Sequence, residues 1–242
     1  MYQKSAAFYD AMSARKRNHA ADADALRRLI AASAKRPVRS LLDVACGTGT
    51  HLEHLRAHYD EVVGLDLSAE MLALAAQRLP GVRLVEGDML TFDLGRKFDA
   101  MTCLGSAIGY AQTPENLERA VTRMAQHLAP GGVLVLEPFV RPEVWEWGRV
   151  GSFFVETPSR KIAHFATTGE PGPVANMTFH YLVAEAGQVT YFSEEHALGL
   201  FTFEQLVDAF RGASLTTTLD PEGLTGRGLV VGVSASQTRA MR

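Results

Sequence analysis

Leu41-Leu42-Asp43-Val44-Ala45-Cys46-Gly47-Thr48-Gly49-Thr50 is the stretch that decides the architecture of this chain. A short apolar run, Leu41–Ala45, passes straight into Gly-x-Gly, and positions 50–58 then carry helical spacing. That is a buried strand turning tightly into a helix, a layout in which a ligand lies over the turn and the helix N-terminus. Glycine makes the turn without steric cost and lets a ligand come close to the backbone. Working outward, the apolar runs Val62–Leu67, Val82–Val85, Phe98–Leu104 and Val133–Leu136 alternate with helix candidates at 69–78 and 115–127. Strands alternating with helices in this way predict an α/β fold, a doubly wound and mostly parallel sheet covered on both faces. Upstream, residues 20–34 read as an amphipathic helix, and Ala129-Pro130-Gly131-Gly132 as a turn that ends the last helix and launches a strand.

After Pro138 the rhythm changes. Lys161–Thr167, Val174–Ala184 and Gln188–Leu200 alternate or are rich in β-branched and aromatic residues, the pattern of antiparallel strands, with a turn at 142–147 before them. The α/β pattern then resumes: Thr202–Phe210 is helical, with Thr202 as N-cap and Gln205 closing a capping box. Strands near Leu215–Leu219 and Leu229–Val233 follow, and Ser234–Arg242 reads as a disordered tail. With 24 Lys+Arg against 27 Asp+Glu, the net charge of −3 offers no basic surface, so a general nucleic-acid binder is not expected. Two cysteines supply neither a disulfide framework nor a Cys-rich zinc site. MYQKSAAFYDAMSARKRNHA lacks the apolar core of a signal peptide, and no run reaches the ~18 residues of a membrane helix. A cytoplasmic protein with no membrane contact is the expectation.

Two acids accompany the glycine turn. Asp66, in Val-Val-Gly-Leu-Asp-Leu-Ser, ends the second strand nineteen residues after Gly47, where a carboxylate can accept hydrogen bonds from both hydroxyls of a ribose. Asp88, in Glu-Gly-Asp-Met, follows the third strand, where an adenine edge would lie. A dinucleotide oxidoreductase would carry a small residue where Leu52 stands, and a P-loop would continue into Gly-Lys-Ser/Thr. Neither does.

Taken together, Asp-Val-Ala-Cys-Gly-Thr-Gly, Gly-Leu-Asp-Leu-Ser, Glu-Gly-Asp-Met and Leu-Ala-Pro-Gly-Gly resemble the class I S-adenosylmethionine-dependent methyltransferases over residues 41–138. A closer resemblance runs over nearly the whole chain. It rests on the extended stretch 41–55, Leu-Gly-Arg-Lys-Phe at 94–98, Ile-Gly-Tyr at 108–110 and Gly-Arg-Gly-Leu-Val-Val-Gly-Val at 226–233. Phe-His-Tyr-Leu-Val-Ala at 179–184 and His-Ala-Leu-Gly-Leu-Phe at 196–201 extend it. These are similar to nucleotide-aminosugar N,N-dimethyltransferases of the desosamine and mycaminose type. The resemblance divides the chain into N-terminal helices and a cofactor-binding core (1–138) and a β-rich, substrate-binding insertion over the active site (139–200). A C-terminal helix and strands (201–234) complete the core, followed by a tail (235–242).

The resemblance further implies S-adenosylmethionine as cofactor and a nucleotide sugar as acceptor. Ala45, Gly47 and Gly49 would hold the methionine part, Asp66 the ribose, and Asp88 and Met89 the adenine, with Leu67 and Leu104 lining the same cofactor pocket. Tyr9 would close over the cofactor. Tyr2, Phe139, His180 and Arg227 fall on the substrate side, with Arg227 set to meet the diphosphate bidentately. Tyr110 and His196 are the candidates to orient the amine or relay its proton. Departures also fall on the substrate side: Phe139-Val140 replaces two tryptophans after Glu137-Pro138, and Arg17-Asn18-His19 replaces Lys-Asp-Tyr.

Blander readings apply to other residues. Cys46 and Cys103 read as small buried hydrophobes, Trp145 and Trp147 as anchors of the insertion, and Arg15-Lys16-Arg17 as a solvated helix face. No metal is expected, since His180 and His196 lack ligand spacing. The place after the fourth strand, Leu104–Tyr110, carries neither Asn/Asp-Pro-Pro-Tyr nor an acidic cluster, which disfavours base or amide methylation and metal-dependent catechol methylation. The reading is therefore an N-methyltransferase, with a tailoring methyltransferase for an attached sugar or other small molecule as the alternative and a non-catalytic binding module as the remote one. Assembly is left open, a homodimer included.

Overall fold

The computed structural model describes residues 4–15 and 17–236. The chain opens with helices α1 (Ala6–Ser13) and α2 (His19–Ser33), the latter capped by the Asn18 side chain. Then strands and helices alternate: β1 (Ser40–Val44), α3 (Thr50–Leu55), β2 (Glu61–Asp66), α4 (Ala69–Arg78), β3 (Arg83–Glu86), β4 (Phe98–Cys103), α5 (Pro114–Gln126) and β5 (Leu128–Leu136). Four strands follow, β6 (Gly151–Thr157), β7 (Arg160–Thr168), β8 (Val174–Glu185) and β9 (Gln188–Gly199). Helix α6 (Phe203–Gly212), β10 (Leu215–Asp220) and β11 (Leu229–Ser234) close the fold.

One seven-stranded sheet has the order β3-β2-β1-β4-β5-β11-β10, in which β11 alone runs against the other strands and pairs antiparallel with both β5 and β10. The fold is thus the α/β arrangement that the strand–helix alternation implies. Successive residues along each central strand serve opposite faces: Leu42 packs with Leu117, Val121 and Met124 of α5 and Phe210 of α6, whereas Leu41 packs with Leu26 and Ile30 of α2 and Leu52 of α3. Burial on both faces is why these strands read as continuous apolar runs rather than as alternating ones.

The second sheet is an antiparallel meander, β6-β7-β8-β9. Its inner face, with Ile162, Tyr181 and Val183, packs on Met12 and Phe8 of α1. The fold is therefore two sheets with α1 tied to both. Asp10 bonds Thr48 Oγ1 (2.5 Å) and Arg78 (2.6 Å) on the core side, while the Lys4 N–H (2.6 Å) and Ser5 bond the buried Glu194 of β9.

Three local features differ from the sequence reading. β6 is a strand that periodicity did not mark, because as a sheet edge it buries a single residue, Val155. The Ala129–Gly132 turn lies inside β5: Phe98 pairs with Leu128 and Ala100 next with Val133, so the glycines form a bulge that rejoins the ladder. Ser234, which the strand pattern leaves in the tail and the domain division places in the core, is the last residue of β11, where its hydroxyl donates to Ala129 O (2.6 Å). Residues 237–242 and Tyr2 lie outside the described residues. The capping box of Thr202 and Gln205 forms with both of its hydrogen bonds. No helix among the described residues is long and apolar enough to cross a membrane.

Candidate active site

A cavity of about 850 Å³ lies between the two sheets, in the size range of small-ligand pockets. Ala45 and Gly47 of the glycine turn and Asp66 and Asp88 at the ends of β2 and β3 line one side; Met177 and His196 of the antiparallel sheet line the other. This is the carboxyl edge of the parallel strands, where backbone ends are free to meet a ligand.

The turn is held in an unusual backbone shape. Ala45 takes φ 57° and Gly47 φ 56°, both left-handed, and a non-glycine residue in that region marks local strain of the kind stored at functional sites. A Cβ at Gly47 would meet nothing within 4 Å, so the space over it is open cavity that a ligand can fill. Gly49 has a different duty. Its Cβ would stand 2.6 Å from Leu79 Cδ1, so this glycine lets α3 close on α4, and it does not line the cavity.

Asp66 is the hub of the turn. Its Oδ2 accepts from the Gly47 N–H (2.7 Å) and its Oδ1 from the Ser68 N–H (2.8 Å), so one carboxylate fixes the glycine loop and the start of α4 together. Burial pushes its pKa above the ordinary carboxylate value despite those two donors. Asp88 accepts from the Leu90 N–H (2.8 Å). Leu67, Met89 and Leu104 add apolar lining next to these acids, and Leu67 is exposed there. Among the described residues no Lys or Arg lines the cavity, while Asp66, Asp88 and Glu195 do. The cavity therefore favours a ligand with positive charge and apolar rings.

Behind the loop, Asp43 is buried and accepts from Thr102 Oγ1 (2.6 Å). Burial pushes its pKa up to about 6 from 3.8. The folded state thus holds a proton more tightly than the unfolded chain does, so stability is lost as pH rises from about 4 through about 6. At ~1.36 kcal/mol per pKa unit the full loss is about 3 kcal/mol. Asp43→Asn, which cannot ionise, is expected to shift the urea midpoint of cofactor-free protein upward near neutral pH and to flatten the dependence below it. A variant less stable than wild type near neutral pH would contradict this.

The other half of the cavity comes from distant segments. Tyr110 hydroxyl and His196 Nδ1 lie 2.7 Å apart, both lining the cavity. Burial lowers His196 to about 4 and raises the Tyr110 phenol, so both are neutral near pH 7. Tyr9 on α1 also lines the cavity, and its hydroxyl lies 4.0 Å from where a Cβ at Gly105 would stand.

Three of the expected substrate-side residues lie outside the cavity lining. His180 points outward on β8 and bonds the Tyr191 hydroxyl (2.8 Å). Phe139 packs against Trp145 (ring centroids 5.4 Å apart), which in turn packs on Trp147. Arg227 reaches the rim: its Nη1 donates to Ser106 Oγ (2.5 Å), between the lining residues Gly105 and Ala107, and its guanidinium lies 6.0 Å from the Phe139 ring. Cys46 and Cys103 are buried, and burial raises both thiols.

The sequence reading missed Arg17. It is no solvated residue: its side chain is 9% exposed and donates to Asp22 (2.9 Å) and to Glu137 (2.6 Å), whose side chain is fully buried. Glu137 also accepts from the Gly105 N–H (2.7 Å) and from Thr225 Oγ1 (2.8 Å). One buried carboxylate thereby joins the N-terminal segment, the loop after β4 and the loop that carries Arg227. Arg17 and Glu137 stand 120 positions apart, and no local pattern announces their pairing. The same holds for Thr167, Thr168, Asn176 and Thr178, which add hydrogen-bonding groups to the cavity.

Residues 41–132 match the family model described as a methyltransferase domain. The chain is 41% identical, over 91% of its length and 93% of the relative's, to dTDP-3-amino-3,4,6-trideoxy-alpha-D-glucopyranose N,N-dimethyltransferase of Streptomyces venezuelae. It is 40% identical, over 93% and 90%, to dTDP-4-amino-2,3,4,6-tetradeoxy-D-glucose N,N-dimethyltransferase of Saccharopolyspora spinosa. Among solved structures, S-adenosylmethionine-bound CalS10, an amino pentose methyltransferase from Micromonospora echinaspora, superimposes with a TM-score of 0.85 at 40% identity, covering 97% of this chain and 98% of that one.

Proposed function

Since this chain belongs to the S-adenosylmethionine-dependent methyltransferases, within the group of the dTDP-aminosugar N,N-dimethyltransferases, we propose that it methylates the amino nitrogen of a dTDP-linked deoxyaminosugar twice, in natural-product biosynthesis. The observation that carries the reading is a single cavity with the glycine turn and Asp66 on one sheet and the Tyr110–His196 pair across it. The open space over Gly47, the acid at the end of β2 and the apolar lining beside it fit the cofactor.

When bound, the cofactor supplies a methyl group already activated on a sulfonium. The chain's own residues then have three tasks. Asp66 accepts the ribose hydroxyls while holding the Gly47 N–H, and Asp88 with Met89 flanks the adenine. The negative lining compensates the cofactor's positive charge. With His196 as the Nε2–H tautomer, the Tyr110 O–H donates a hydrogen bond to Nδ1 and its phenol oxygen keeps a lone pair to accept an amine N–H. That contact directs the amine lone pair along the line of displacement. The ammonium proton leaves to solvent before attack, and no side chain is required as its base. Holding reacting groups in line is worth effective molarities of roughly 10⁵ to 10⁸ M, which makes position the main contribution. The monomethyl product re-enters the same cavity for the second transfer.

The acceptor is tested at its diphosphate. Among the described residues the cavity lining holds no Lys or Arg, and the rim, where Arg227 stands beside Ser106, supplies a cation for the diphosphate. Arg227→Ala is expected to raise the acceptor KM roughly 10- to 150-fold, the equivalent of ~1.5–3 kcal/mol for charged hydrogen bonds, with cofactor affinity unchanged. Arg227→Lys recovers part of this, since one ammonium cannot make a two-pronged contact. Labelled-methyl transfer to the dTDP-aminosugar and to the free aminosugar decides between readings. Equal transfer to both would make the enzyme one that acts after glycosyl transfer, and no transfer to any amine would make it a binding module.

A further inference from the structure

The start of α2 faces the start of α3 just beyond the glycine turn. His19 and Asp22 sit three residues apart in the first turn of α2, and His51 is the second residue of α3. One ring nitrogen of each histidine and one Asp22 oxygen all lie within 4.8 Å of one another. The two rings are 4.8 Å apart at 80°, edge to face, so their nitrogens converge instead of stacking. His51 Nε2 is 3.7 Å from Asp22 Oδ2, beyond hydrogen-bond length. Neither that nitrogen nor His19 Nδ1 has a hydrogen-bond partner among the described residues, although both are buried atoms. Buried polar atoms are nearly always partnered, so two unpartnered nitrogens facing one carboxylate call for an occupant.

We propose that His19, Asp22 and His51 form a binding site for a divalent transition-metal ion of the zinc type, separate from the methyl-transfer cavity. Two imidazoles and one carboxylate are a donor set that zinc accepts in a four-coordinate site, with water in the fourth position. Nitrogen donors select against magnesium and calcium, which take oxygen. The supports expected around such ligands are present. Ser13 Oγ lies 3.2 Å from His19 Nε2, the other ring nitrogen from Nδ1, and Arg17 holds Asp22 Oδ2, while no hydrogen bond among the described residues reaches Oδ1. His19 is partly exposed, which gives an ion a way in and gives the ring room to turn toward the closer spacing that coordination requires. The Arg17 guanidinium opposes a cation next to it, but its charge is shared with Glu137. Zinc here would clamp α2 to α3, whose first residues follow the glycine turn.

The test uses tag-free, full-length protein stripped with a chelator and titrated with cobalt(II), whose visible bands report tetrahedral nitrogen–oxygen coordination. One cobalt per chain with such bands, displaced by zinc and accompanied by a raised melting temperature, is the expected result. His19→Phe keeps the ring-to-ring contact with His51 and should weaken binding at least tenfold, with S-adenosylmethionine affinity unchanged as proof of folding. Asp22→Asn should act the same way, whereas His54→Gln, on the same helix as His51 but outside the cluster, should change nothing. If stripped wild-type protein takes up no cobalt, or folded His19→Phe binds it as tightly as wild type, the site does not exist.

Discussion

Asp66→Ala is expected to remove cofactor binding almost completely from a protein that still folds. Two losses combine. The ribose hydroxyls lose a charged acceptor, worth about 1.5–3 kcal/mol. The Gly47 and Ser68 N–H groups also lose the oxygens that they donate to at 2.7 and 2.8 Å, so the glycine turn is no longer held in its left-handed shape. Together these should raise the dissociation constant for S-adenosylmethionine by roughly a hundredfold or more, at ~1.4 kcal/mol per tenfold. Asp66→Asn should recover little. An amide offers one oxygen where two N–H groups need acceptors, and its NH₂ would face the second donor. Calorimetry is the measurement. Unchanged affinity in a folded Asp66→Ala would remove this residue, and the glycine turn with it, from the cofactor site.

Arg17→Ala should produce the largest loss of stability, about 3–5 kcal/mol, because it strands a charge instead of merely deleting a contact. Glu137 is fully buried and Arg17 is its cationic partner; Gly105 N–H and Thr225 Oγ1 remain but carry no charge. Glu137→Gln in the Arg17→Ala background should restore part of the loss, since a neutral amide costs less to bury than a lone carboxylate. Chemical denaturation of the two singles and the double measures the coupling. A cost under about 1 kcal/mol for Arg17→Ala would mean that the pair is not formed in solution. Because the network also anchors the loops of Gly105 and Arg227, acceptor KM should rise in step with the loss of stability.

The core sheet, the glycine turn and the acids beside it are all legible along the chain. The reason is that each is a local pattern. Leu41 and Leu42 serve opposite faces of a strand covered on both sides, which leaves an unbroken apolar run in the text. Ala45–Gly49 is a backbone shape, and backbone shape is written in consecutive residues. Asp66 and Asp88 stand at strand ends whose spacing follows from one strand–helix–strand unit each. Tertiary structure alone decided the rest. Tyr110 meets His196 across 86 positions, Ser5 meets Glu194 across 189, and Arg17 meets Glu137 across 120. Such pairs have no period, and each residue taken singly reads as ordinary surface or core, as Arg17 did. Even within the legible motif the duties were divided by packing: Gly47 opens onto the cavity, while Gly49, two residues on, exists to admit Leu79. A sequence specifies which side chains can do chemistry, but which of them face one another is set by how two sheets and a short N-terminal helix pack, a matter of long-range burial and not of spacing.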